Sequence, residues 1–269
     1  MTIFPHIVLL VATIFSLSLL SCRNGDGSNI TGKPGDLSDE IVSLSVENPR
    51  QALALIDSAE KGQLMTPFEC EYLRCITYHN GLSQYRMAIV HGTKAYDMPE
   101  ARDNTDNFLA LVEMLADEYL SMGNHSESTR LCAEGLKLAK DSLLIKRESN
   151  LHVTMGLNLL EMKQDDEAFR HFSEAEKASR QLAASSEGYE DYLYTLGILA
   201  NALSDKGKTD RAIELTPGYI KTAERLDSIK DSPRGLSDMR LAEGYAFMAY
   251  LNMRGGNKEE AEKAYAKYL

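Results

Sequence analysis

The chain has 269 residues, 43% apolar and 26% charged, with no Trp and a formal charge of −11. That is the composition of an ordinary soluble protein, with length enough for one elongated core. The acidic balance argues against nucleic acid or anionic lipid as a main partner, because both need a basic face that displaces counterions.

Residues 1–21 depart from that profile. The apolar run from Ile7 to Leu20 has the length of a signal peptide and is short for a membrane span. It leads into Leu19-Leu20-Ser21-Cys22, which resembles a bacterial lipobox. The resemblance implies that the Cys22 thiol accepts the lipid and becomes the mature N-terminus, an anchor of the palmitate-bearing lipoprotein kind. The segment before the run has no Lys or Arg, which departs from the usual pattern. An uncleaved anchor and an ordinary cleaved signal are the other readings of the run. Arg23 follows the cysteine where an Asp would imply inner-membrane retention, so the outer membrane is mildly favoured. Residues 22–36 are rich in Gly, Asn and Ser and read as a lipidated N-terminus followed by a flexible tether.

From about residue 37 to residue 269 apolar residues follow three- and four-residue spacing, for example Leu109, Val112, Leu115, Ala116 and Tyr119. Breakers punctuate them at Glu47-Asn48-Pro49, Asn80-Gly81, Met122-Gly123-Asn124, Lys206-Gly207-Lys208 and Gly255-Gly256-Asn257. A small residue recurs in the second helix of each predicted pair, at Ala52, Ala88, Ser128, Ala168, Ala212 and Ala261. These anchors stand 36, 40, 40, 44 and 49 residues apart. Such a period marks a helical array in which no unit buries its apolar face alone. Cys75 and Cys132 fall at inward positions and Cys70 lies five residues before Cys75, so the three read as buried free thiols rather than a disulfide. Asp165-Asp166-Glu167 opens a helix, where the macrodipole favours acids. Pro217-Gly218 falls inside a second helix and is expected to kink or break it. The last helix, 258–269, has no polar capping helix after it, which predicts either a longer parent chain or self-association through the C-terminal edge.

These residues resemble the tetratricopeptide repeat (TPR), a helix–turn–helix unit of about 34 residues. The fourth unit carries it best: Gly156, then Ala168, Phe172 and Ala175 at the repeat's spacing. The third keeps Ala116, Tyr119, Gly123, Ser128 and Gly135, and the sixth Ala249, Gly256, Ala261 and Tyr265. The resemblance implies an all-α, right-handed superhelical solenoid of about six hairpins over residues 37–269. It also implies a concave groove lined by first helices, which here would show Glu113, Asp117, Asn150, Val153, Tyr194, Asn201, Glu243 and Tyr250. That set lacks the Lys, Asn and Arg clamp with which some family members hold a C-terminal carboxylate. A basic or apolar peptide, or a neighbouring helix, is therefore the expected partner.

No nucleophile elbow, phosphate loop or dinucleotide fingerprint occurs, and the six His are scattered without metal-ligand spacing. The expectation is a protein without catalysis, cofactor or metal. The leading reading is a lipid-anchored scaffold of a Gram-negative cell envelope, facing the periplasm or on the outer membrane, that binds a protein or peptide. A periplasmic sensory domain of a membrane-bound regulator or histidine kinase is the second reading. An outer-membrane assembly lipoprotein is the third.

Overall fold

A computed structural model describes residues 34–230 and 232–268. The signal segment, Cys22 and most of the tether lie outside the described residues. Among the described residues the regular structure is helical: α1 (Pro34–Glu47), α2 (Pro49–Lys61), α3 (Pro67–Ile76), α4 (Tyr85–Asp97), α5 (Thr105–Ser121) and α6 (His125–Asp141). There follow α7 (Ile145–Glu161), α8 (Asp165–Leu182), α9 (Ser186–Asp205), α10 (Thr209–Arg225), α11 (Leu236–Arg254) and α12 (Lys258–Tyr268). They succeed one another as six helix–turn–helix pairs.

Local chemistry sets the helix starts. Asn48, Asn104, Asn124 and Ser185 each accept a hydrogen bond from a first-turn backbone N–H, and Thr66 forms a reciprocal capping box with Glu69. Pro49 and Pro67 sit in the first turn, where no N–H is missed. The turns inside the last four pairs are copies of one another. Asn124, Gln164, Lys208 and Asn257 each donate a backbone N–H over 2.8 Å to the carbonyl five residues earlier. The residue before each donor has a left-handed backbone: Gly123, Gly207 and Gly256, but Lys163 in the fourth pair.

Among the described residues, 34–171 form one compact unit and those from Phe172 onward a second, the boundary falling within α8. In the first unit, Ile41, Ala52, Ile56, Cys70, Leu73 and Ile76 close a core among α1, α2 and α3. Cys75, Ala88, Leu109, Val112, Leu115, Leu131, Cys132 and Leu151 continue a core from α3 to α7. Each Leu so buried contributes about 1.5–3 kcal/mol. In the second unit the core is built on Tyr189, Leu193, Leu196, Tyr219, Ala223, Leu226 and Leu236.

The recurrent small residues are all buried. A Cβ on Gly135 would stand 2.7 Å from Leu151 Cδ1, so α6 and α7 approach as they do only because nothing is there. Tyr219 stands seven residues after Ala212, as Gly135 does after Ser128, and there Gly244 of α11 makes room: a Cβ on it would lie 2.9 Å from the Tyr219 ring. The expected break at Pro217 is not found, because α10 runs unbroken from Thr209 to Arg225. Proline leaves the Ile213 carbonyl without its helical donor. The buried Thr216 hydroxyl donates to that oxygen over 2.8 Å.

Candidate functional site: the first-helix face

Three first helices of the first unit, α3, α5 and α7, meet through polar side chains. From α7, Arg147 donates through Nε to Asp106 Oδ1 (2.8 Å) and through Nη1 to Glu113 Oε2 (3.0 Å). Asn150 Nδ2 also donates to Glu113 Oε2, over 3.4 Å. One turn on, the Thr154 hydroxyl donates to Asp117 Oδ1 over 2.7 Å. On the other flank of α5, His79 Nδ1 lies 2.5 Å from Glu118 Oε1, and the Glu118 side chain is 1% exposed.

His79 owes its place to a local irregularity. α3 continues as a π turn over Thr77–Gly81, a distortion that often accompanies functional positions. The Asn80-Gly81 turn expected from sequence is the end of this π segment. Gly81 is obligatory there, since a Cβ would come within 1.9 Å of the Ser45 carbonyl oxygen.

Burial dominates the electrostatics of the cluster. It raises Glu113 to about 7 against the lowering effect of Arg147. It also raises Asp117, with the Thr154 hydrogen bond opposing, and Tyr72 to about 12. Burial, the largest single effect, would lower His79, but its hydrogen bond to Glu118 and the charges of Glu118 and Asp117 together outweigh that and hold the imidazole above its ordinary range. Glu113 Oε1 and Glu118 Oε2 are buried without a hydrogen-bond partner. Such orphaned acceptors cost stability and are uncommon in folded proteins.

In the second unit the first helices α9 and α11 are joined in a related way. Arg240 Nε donates to both carboxylate oxygens of Glu190, over 3.0 and 2.9 Å, and Nη1 donates to Glu243 Oε2 over 2.7 Å. The Tyr219 hydroxyl also donates to Glu243, over 3.4 Å. Arg254 donates to Asp205 Oδ1 over 2.8 Å and to the Tyr250 hydroxyl over 3.1 Å.

Of the residues expected from sequence to face a ligand, Glu113, Asp117 and Asn150 thus belong to one cluster. Val153 is only 4% exposed and offers no surface to a partner; its neighbour Thr154 is the residue that reaches α5. Tyr194 and Asn201 are half-buried on α9, Glu243 is held by Arg240 and Tyr219, and Tyr250 stacks on Phe247 at 6.5 Å. Sequence reasoning missed His79, Glu118, Arg147, Thr154, Glu190 and Arg240. The available signal was charge at helical positions flanked by buried apolar residues, as in Arg240 between Leu236 and Gly244. Among the described residues no group of three or more His, Cys, Asp or Glu could hold a metal ion. No helix among them is long and apolar enough to cross a membrane.

No family model matches the chain, and neither does any curated protein. Solved structures do. A Rap protein complexed with Competence and Sporulation Factor superposes with TM-score 0.59 at 12% identity, covering 98% of this chain and 78% of that one. BtubC (BKLC) from P. vanneervenii gives TM-score 0.56 at 14% identity, covering 88% and 90%. The TPR-like repeats of a putative kinesin light chain from Podosopora anserina give 0.57 at 15% identity, covering 76% and 94%. The fold is therefore that of TPR-like helical repeats. At these identities the likeness establishes architecture and leaves activity to be argued from the residues.

Proposed function

We propose that this chain is a non-catalytic interaction scaffold that holds a peptide or protein segment against its first-helix face, presented from a bacterial cell envelope by a lipid on Cys22. The observation that carries this reading is the row of buried and half-buried polar side chains shared by α3 with its π turn, α5 and α7, with carboxyl oxygens still lacking donors. An array of first helices with unfilled hydrogen-bonding capacity is suited to a chain laid across it. The Rap neighbour in complex with its factor supports the reading, since a fold of this kind accommodates a bound molecule. The anchor rests on the Leu19-Leu20-Ser21-Cys22 motif alone.

A photo-crosslinking residue placed at Asn150 should capture a defined envelope protein, while the same residue at Lys137 on the second-helix side should not. Equal capture from both positions, or capture only from Lys137, would remove the first-helix face from consideration. Mass spectrometry of the mature N-terminus, with Cys22→Ala as the companion variant, tests the anchor. A Cys22→Ala protein that still partitions with membranes would overturn it.

A further inference from the structure

Glu113, Asp117 and Glu118 fall within six residues of α5, with Asp106 two turns earlier. Among the described residues the cationic groups facing these four acids include Arg147, already shared by Asp106 and Glu113, Lys146, whose charge acts on Asp106, and His79, engaged with Glu118. Among the described residues Asp117 accepts one hydrogen bond, from Thr154. Glu118 is buried with its second oxygen unfilled, and so is one oxygen of Glu113.

A carboxylate short of donors is best completed by a cation that brings several N–H groups at once. A neutral amide brings fewer, and an anion would be repelled. We propose that this seam between α3, α5 and α7 holds a cationic side chain of the bound segment, a lysine ammonium or arginine guanidinium seated on Asp117 and flanked by Glu113 and Glu118. The inference rests on the first-helix face being the ligand face, and it names the chemistry that face selects. Specificity follows from the other direction as well. A segment ending in a free carboxylate at this point would leave the acids unpaired and add a like charge.

The test uses the full chain and an N-acetylated, C-amidated peptide of alternating alanine and lysine, compared with the same peptide in which every lysine is acetylated. Fluorescence anisotropy at roughly 0.15 M salt limits long-range attraction to the acidic protein as a whole. The charged peptide should bind at least about tenfold tighter than the acetylated one. Asp117→Asn, which keeps an acceptor for Thr154, should remove about that factor. The charge-matched Glu259→Gln protein, altered on α12, should bind as the parent does. Equal binding of both peptides overturns the proposal, as does an equal loss in the α12 variant, which would reveal net charge alone at work. Should Asp117→Asn leave the Asn150 crosslink and the peptide affinity both intact, the scaffold reading stands and the cation pocket falls. Loss of the crosslink in the parent protein would instead remove the scaffold reading. Thermal melts of each variant separate weakened binding from weakened folding.

Discussion

A carboxyl withdrawn from water holds its proton more tightly, and burial lifts Glu113 to about 7, so that it ionises within the neutral range. Its folded value lies above its unfolded one, so its contribution favours folding at low pH and is lost as pH rises from about 4.5 to about 7. The raised His79 adds in the same direction: its contribution is full below its ordinary 6.5 and disappears as pH climbs through the folded value. Asp117 is raised too, whereas Asp106, lowered by Arg147, acts only at more acid pH. Lowering the pH from 8 to 5.5 should therefore raise the melting temperature, and Glu113→Gln should remove roughly 1–3 kcal/mol of that gain. An unchanged slope in the variant would show that Glu113 is ionised throughout. Thr216 supplies a second test at this scale. Thr216→Val deprives the Ile213 carbonyl of its donor and should cost about 1–2 kcal/mol in chemical denaturation. In a Pro217→Ala background, where the backbone N–H returns, the same change should cost much less. Neither role was legible beforehand: Glu113 was found as a face residue from its register, but its burial depends on how α7 packs, which sequence spacing does not give. Thr216 takes on its role only through the proline one position on.

At the scale of elements, repetition made the helices readable. The anchors at Ala52, Ala88, Ser128, Ala168, Ala212 and Ala261 are all buried against their paired helices, and the breakers at Gly123, Gly207 and Gly256 fall at one turn position. The π turn at Thr77–Gly81 was not readable, because Asn80-Gly81 has the composition of a plain turn and its backbone is decided by the approach of Ser45. Lys163 and Leu143 occupy left-handed turns that glycine fills elsewhere in the chain, and Leu143 is also 82% exposed. Leu143→Gly relieves backbone strain without losing packing, against a small gain in unfolded-state freedom. The expected stabilisation is about 0.5–1 kcal/mol, read as a rise of roughly 1–4 °C in melting temperature. A fall would mean that the leucine packs on something. Overfilling an anchor should act in the opposite sense: Ala88→Leu, at a fully buried site, is expected to cost about 1–3 kcal/mol.

For the molecule as a whole, an array of TPR-like pairs stabilises each helix mainly through its neighbours. Damage should therefore spread by proximity along the array. Arg240→Ala strips the cation from Glu190 and Glu243, leaving two acids without their shared partner. Hydrogen exchange should quicken in α9 and α11 first, and an equal effect in α2 and α3 would contradict nearest-neighbour stability. Architecture at this scale followed from the period of the small residues, which sequence displays directly. The proposed interaction face did not, since the ion pairs that join its helices link residues 34 to 50 positions apart whose pairing only the packed helices decide.

Cys70, Cys75 and Cys132 are sealed from solvent, and burial pushes the thiols of Cys75 and Cys132 up to about 12. A sulfur in that condition is a poor nucleophile until its helices part. Alkylation by a maleimide would then be clocked by breathing of the first three hairpins, so residues 70, 75 and 132 amount to native stopwatches for how often those hairpins open. Ligand capture across α3 and α5 should slow all three.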